Sequence, residues 1–304
     1  MTIPPYGSRE WQEWRRHGVG ASEVAAIAGV DAWKGEYALA LEKRGEAEPV
    51  MESWPMRMGH IMEPVALSEY ERLTGCSLIR GEKFMDERWP HLWATLDGRV
   101  DHVGVEAKWT NKWTEVPDHV LIQAQVQMGV AGLKRVDIVR VSAREAPTII
   151  PIARDDELVT DLCDMAEAWY VRYVEGDEMP PPDASVAASR YLDRVRGEPE
   201  MTATEEQAAL VASLQGVRDA LRRAEDDERR VINQLKASMA GAEALRGPGF
   251  RIAWKPTRER TTVDWRGVAE EMNASPVLVA RYTTVSEGSR PFRVSWESQQ
   301  EEEA

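Results

Sequence analysis

Cysteine is scarce in this chain of 304 residues: Cys76 and Cys163 are the only two, far apart and in no CxxC pair. That spacing builds no disulfide framework and carries no zinc or iron–sulfur signature. Two buried or partly buried thiols are the plain reading, and they suit a reducing, cytoplasmic setting. No apolar run reaches the roughly 20 residues of a membrane-spanning helix. The opening MTIPPYGSREWQEWRRHG lacks the apolar core of a signal peptide, which argues against secretion. Histidine supplies no metal motif either: His17, His60, His91, His102 and His119 form no HxE, HEXXH or HxH pattern, although His60 stands near Glu63. Positive charge is in deficit, with 38 Lys and Arg against 52 Asp and Glu and a formal net charge of −14. A uniformly acidic surface argues against non-specific nucleic-acid binding. The excess is local, however: residues 151–200 hold 13 acidic and 5 basic side chains, residues 1–150 hold 22 and 18. A local acidic patch excludes neither a metal site nor a nucleic-acid partner.

Hydrophobic residues make up 43% of the chain, enough for a sizeable core. The length suits one large domain, or one domain with an appendage. SREWQEWRR (8–16) starts a short helix with Ser8 as a candidate N-cap. Gly18 and Gly20 then frame a turn, and Ser22 is placed to cap a helix through Ala28. Apolar spacing predicts helices over 36–44, 54–75, 116–133 and 155–175, with Gly75 as a stop. Strands are predicted over 77–85, 92–100, 103–109, 135–142 and 148–153. Helices, three strands, a helix, two strands and a helix make a mixed α/β core. GDEMPPPDAS (176–185) reads as a break. Beyond it, 202–240 reads as helix, with Leu210, Leu214, Val217 and Leu221 on one apolar face, short and irregular for a coiled coil. Residues 247–265 read as a hairpin and QQEEEA as a solvated tail. The expected organisation is a first domain over 1–183, a linker over 184–200 and a helical and β-hairpin region over 201–304.

ATLDGRVDHVGVEAKW (94–109) places charge where a core strand wants valine. With 103–109 as a strand, Glu106 and Lys108 share one face, and Val105, Ala107 and Trp109 share the other. Asp97 on the neighbouring strand comes toward the charged pair. Two carboxylates, with the Ala107 carbonyl between them, suit a hard divalent ion, and the ammonium of Lys108 suits an acidified water beside it. Such a set is a recipe for phosphodiester hydrolysis; a pair of salt bridges on a half-exposed strand is the bland alternative. Glu63 reads as a first-turn acid at a helix start marked by Pro64, as a further carboxylate for the same site, or as both together. Arg15 and Ser22 beside two glycines fit an anion site as well as a helix cap. Gln123, Gln125 and Gln127 cannot all share one helix face.

Five blocks, in this order, resemble the lambda exonuclease / YqaJ-type viral recombinase family, a branch of the PD-(D/E)xK nucleases. They are WRRHGVGASE (14–23), MGHIMEPVAL (58–67), ATLDGRV (94–100), VEAKW (105–109) and IQAQVQMGVAG (122–132). The resemblance spans about residues 1–175. It implies a restriction-endonuclease-like α/β core, a mixed central sheet flanked by helices, here with a C-terminal helical and β appendage. It assigns Glu63, Asp97 and Glu106, with Lys108 beside them and the Ala107 carbonyl already noted, to a site for Mg²⁺ (or Mn²⁺), with two ions per site. Asp97, Glu106, Lys108 and Gln125 become catalytic, and Arg15, rather than its rival Arg16, joins Ser22 in holding a 5′-phosphate. Leu96 stands where the family often has proline, and Ile122 where a tyrosine is frequent. The implied function is a Mg²⁺-dependent 5′–3′ exonuclease on linear duplex DNA, acting in phage or prophage recombination in the cytoplasm of a bacterial host. The implied partners are DNA and a single-strand annealing protein, in a homo-oligomer that forms rings in this family, with no membrane. Two readings stay open beside it: an endonuclease of the same fold and a non-catalytic DNA-end or recombinase adaptor. The region 184–304 is left to partner pairing, oligomerisation or guarding a DNA channel.

Overall fold

The computed structural model describes residues 8–31, 33–47, 53–111, 113, 115–193, 201–248 and 250–255, together with 265, 268, 271, 272 and 275–282. The chain divides into two compact units near residues 195 and 196. The first opens with helix α1 (Arg9–Trp14), whose first turn is capped as expected: the Trp11 amide donates to Ser8 Oγ at 3.0 Å. A 3-10 turn (Arg15–His17), strand β1 (Val19–Gly20), a second 3-10 turn (Ala21–Glu23) and α2 (Val24–Ile27) follow. Ser22 lies inside that second turn, and the cap of its N-terminus is made by Glu23, which accepts from the Gly20 amide at 2.8 Å. Gly18 is extended, with no turn; a Cβ there would lie 2.5 Å from the His91 carbonyl oxygen, so close approach to the neighbouring strand is what requires glycine.

Then come α3 (Glu36–Arg44), α4 (Trp54–Thr74), β2 (Ile79–Asp86), β3 (Trp89–Val100), β4 (Val103–Trp109), α5 (Asp118–Ala131), β5 (Arg135–Val141), β6 (Thr148–Ala153), α6 (Asp156–Tyr170) and α7 (Val186–Leu192). The expected stop at Gly75 is there, in the left-handed region at φ 73° with its amide donating to Glu71. Pro64, expected near a helix start, instead lies inside α4, which continues through it although proline has no N–H to donate. Glu63 is therefore a mid-helix residue, ten positions from Ser53 at the cap, and the helix-dipole explanation for it falls away.

The mixed sheet runs β1-β3-β4-β5-β6, with β2 paired to β3. β4 and β5 are parallel and the β2–β3, β3–β4 and β5–β6 pairs antiparallel. Two registers fix where the site is made. Gly98 pairs with both Arg80 of β2 and Val105 of β4, while Trp93 pairs with both Met85 of β2 and Gly20 of β1. β1 and β4 thus share the edge of β3 opposite β2. Between them, residues 94–97 take no strand partner on that edge among the described residues. Val105 and Val139 pack against Ala66, Leu67 and Tyr70 of α4. Val126 and Val130 of α5 pack with Val159, Leu162 and Ala166 of α6 against Leu92 and Ala94.

The proline-rich break is not a free linker. The Arg44 guanidinium donates to the carbonyls of Tyr173, Gly176 and Glu178, Asp183 accepts from the Tyr37 amide at 3.1 Å, and Pro180 is buried. Residues 186–192, expected in the linker, form α7 with Ala188 fully buried. The second unit holds α8 (Glu205–Ser238), the antiparallel pair β7 (Ala244–Gly247) and β8 (Phe250–Ala253), and α9 (Pro276–Arg281). The hairpin starts three residues earlier than expected; positions 256–264 and the acidic tail lie outside the described residues. Among the described residues no helix is long and apolar enough to cross a membrane.

Candidate active site

The interrupted edge of β3 opens into a cavity of about 630 Å³. Among its lining residues are Arg15, Ser22 and Glu23 from the chain around β1, His60 and Glu63 from α4, Asp97 and Glu106 from the sheet, and Gln123 and Gln127 from α5. Where the β3–β4 ladder ends at Gly98 and Val105, the Asp97 side chain takes over: its Oδ2 accepts from the Ala107 amide at 2.8 Å. Glu106 and Lys108 share a strand face as alternation requires, with Lys108 Nζ 2.7 Å from Glu106 Oε1. Gln123 Nε2 donates to the same oxygen at 2.7 Å and its Oε1 accepts from Lys108 Nζ at 3.2 Å. Gln127 Nε2 bridges Glu106 Oε2 at 2.7 Å and the Thr95 carbonyl at 3.0 Å. Both partners are acceptors, so the amide orientation is fixed, and Gln127 Oε1 is left buried without a hydrogen-bond partner.

Gln125, expected at the centre, is not there. Its Nε2 donates to the Ala153 carbonyl at 2.9 Å and its Oε1 accepts from the Asp155 amide at 3.0 Å, so it fastens α5 to the β6–α6 connection. Gln123 and Gln127 are one helical turn apart and share a face; Gln125 lies about 200° around from Gln123 and faces away. The i, i+4 spacing is the signal that separates them.

A second cluster lies at the Arg15 end. Glu23 receives the Arg15 guanidinium on Oε1 and the Lys43 ammonium on Oε2 at 2.5 Å, and Lys43 also donates to the Arg15 carbonyl at 2.9 Å. Glu23 and Lys43 are buried, 6% and 5% exposed, so neither charge is hydrated and each depends on the other. Arg16, the rival of Arg15, sits at Gly45 instead. Ser22 is exposed on the cavity wall beside them. Sequence reasoning misses both Glu23 and Lys43. Glu23 carries a signal, since a Gly-x-x-Glu spacing before an apolar run is a capping pattern; Lys43, inside α3, carries none.

A family model, the YqaJ-like viral recombinase domain, matches residues 10–134 of this chain. Over these residues the chain resembles a YqaJ-like viral recombinase domain. Every residue named above as lining the cavity falls within that span. The uncharacterized protein YqaJ of Bacillus subtilis (strain 168) is 25% identical over 267 residues, covering 81% of this chain and 83% of that one. Among solved structures, the LHK-Exo alkaline exonuclease of Laribacter hongkongensis, in complex with dAMP, is 24% identical with a TM-score of 0.49, covering 55% of this chain and 92% of that one. A putative exonuclease from Eubacterium rectale is 14% identical with a TM-score of 0.48, covering 66% and 97%.

The electrostatics of the YqaJ-like domain bear on whether a cation belongs there. Burial, then Glu106 and Glu63, lifts the Asp97 carboxyl well above the usual carboxylate range, against the Ala107 amide and Lys108. Burial and then Glu106 also raise Glu63, with His60 and Lys108 opposing. For Lys108, burial disfavours the ammonium, but Glu106, Asp97 and Glu63 outweigh it and raise its pKa. Three carboxylates thus surround one ammonium, and the excess negative charge is what a divalent cation would neutralise. Among the described residues no three carboxylate, histidine or cysteine side chains already stand close enough to enclose an ion. The carboxylates of Asp97 and Glu106 line the cavity, and oxygen donors of that kind fit a hard cation that keeps several waters. At the other end, burial raises Glu23, yet Lys43, Arg15 and Lys34 outweigh it and hold the carboxyl at about 2.

Proposed function

We propose that the YqaJ-like domain is a divalent-cation-dependent deoxyribonuclease that works inward from the 5′ end of linear duplex DNA, as one step of phage-type recombination. The reading is carried by one observation: Asp97, Glu106 and Glu63 line the same cavity as Arg15 and Ser22, so the acids and the anion-binding groups serve one substrate. Asp97, Glu106 and the Ala107 carbonyl would hold Mg²⁺ or Mn²⁺, with Glu63 as an outer carboxylate. A cation there would supply an acidified water and a counter-charge for the scissile phosphate. Lys108, tied to Glu106 and Gln123, places its ammonium where it steadies the nucleophile and stabilises developing negative charge. Gln123 and Gln127 keep Glu106 oriented. Arg15 and Ser22 bind the terminal phosphate, Arg15 being aimed by Glu23. Resemblance to a viral recombinase domain agrees with a role in processing DNA ends.

The test is a cleavage assay with Mg²⁺, with Mn²⁺ and with EDTA, on 5′-phosphorylated linear, 5′-hydroxyl linear and covalently closed circular duplexes. Asp97→Ala runs beside it as a control. Linear phosphorylated DNA is consumed, circles survive, and both EDTA and Asp97→Ala abolish the reaction. Degraded circles would replace the exonuclease reading by an endonuclease. Binding of ends without cleavage under any cation would leave a DNA-end adaptor.

A further inference from the structure

Helix α8 runs unbroken from Glu205 to Ser238, opened by a capping box between Thr204 and Gln207, and none of its 34 residues is buried. It nevertheless carries large apolar side chains: Leu210 is 66% exposed, Val217 64%, Leu221 59% and Val231 53%. With Leu214, Ala224 and Leu235 these fall at 210, 214, 217, 221, 224, 231 and 235, alternating steps of four and three broken only by Glu228. That is the 3.5-residue repeat of a two-stranded coiled coil, sustained for a length on the order of 38 Å; the stripe from 210 to 221 taken alone is short and irregular, but the unbroken helix extends it through 224, 231 and 235. A lone helix cannot bury such a stripe.

We propose that α8 pairs antiparallel with α8 of a second copy of this chain. The stripe is self-complementary about a point between Arg222 and Arg223. Read in opposite directions, Leu210 meets Leu235, Leu214 meets Val231, Leu221 meets Ala224 and Val217 meets Glu228, each pairing occurring twice. The positions bordering the stripe agree. Arg218 falls beside Glu225 of the other copy, and Val211 beside Ile232, both of which are exposed in the single chain. Asp227, also on the border, is engaged within its own helix by Arg230 at 2.5 Å. A parallel pair is disfavoured by the same residues: it stacks Glu228 on Glu228 in the seam and sets Arg218 against Ser213 and Glu225 against Ala220. The single acid in the seam thereby selects direction as well as register.

The experiment is sedimentation of the full-length chain across a range of concentrations. Arg218→Glu, which sets acids against Glu225 at both ends of the pair, halves the native mass. Arg218→Glu combined with Glu225→Arg restores it, which simple misfolding of the first variant would not. In a Cys76→Ser background under oxidised glutathione, a mixture of Leu210→Cys and Leu235→Cys chains forms a mixed disulfide dimer, while neither links to itself. An unchanged mass for Arg218→Glu overturns the proposal, whether the stripe is covered by another segment of the chain, by a different protein or by nothing. Self-linking of Leu210→Cys alone overturns the antiparallel arrangement.

Discussion

At the scale of single residues, the cavity is built from charges that cannot stand alone. Lys108 is held by Glu106 and Gln123 and surrounded by carboxylates. Lys108→Met keeps its length and removes the charge, so the proposed cleavage falls by about 10²- to 10⁴-fold while DNA binding in a gel shift persists. Single-turnover rates with saturating enzyme separate the two. Glu23→Gln leaves Lys43 buried without its counter-charge and costs roughly 3–5 kcal/mol in denaturant unfolding. The pH dependence has a definite sign. The Glu23 carboxyl is depressed from 4.5 to about 2, so its contribution is complete above the unfolded value and is lost as pH falls through that window. The stability curves of wild type and Glu23→Gln therefore converge as pH drops from about 4.5 toward 2. Glu106 and Lys108 are legible in the sequence because strand alternation alone puts them together. Glu23 and Lys43 are not, because a buried ion pair between residues 20 positions apart has no periodicity, and only the fold brings α3 under the Arg15 turn.

At the scale of elements, α5 shows how far a resemblance and a helical wheel can disagree. The helix is legible from its apolar spacing, and so is the rule that its three glutamines cannot share a face. The resemblance selects Gln125 against the one-turn spacing of Gln123 and Gln127. The two kinds of glutamine have separable effects. Gln125→Ala breaks two hydrogen bonds to the β6–α6 connection and costs about 1–3 kcal/mol of stability, with cleavage per folded molecule unchanged. Gln127→Leu loosens Glu106 and lowers the cleavage rate by about 10-fold or more at near-normal DNA affinity. Thermal melts and steady-state rates on the same preparations distinguish these outcomes. Pro64 misleads for a different reason. Proline is a good marker of a first turn, but tertiary packing of Ala66, Leu67 and Tyr70 on the sheet carries α4 through it.

At the scale of the whole molecule, the order of strands and helices is readable, because hydrophobic period and turn residues report them locally. What composition does not report is that GDEMPPPDAS is strapped to α3, since the straps come from Arg44 and Tyr37 more than 100 positions upstream. All cavity-lining residues lie between Trp11 and Gln127. A chain ending at Val195 is accordingly expected to keep cleavage of linear DNA within about one order of magnitude of the full chain. Loss of activity with retained circular dichroism would place part of the site beyond it. The absent rungs between Gly20 and Val105 have a consequence that no substrate is needed to see. Along 94–97, β3 is central by position yet behaves on one side as an outer strand. Amides pointing into the gap exchange with deuterated water faster than those one residue along, which β2 protects, so alternating fast and slow uptake over these four residues traces the cavity mouth in solution.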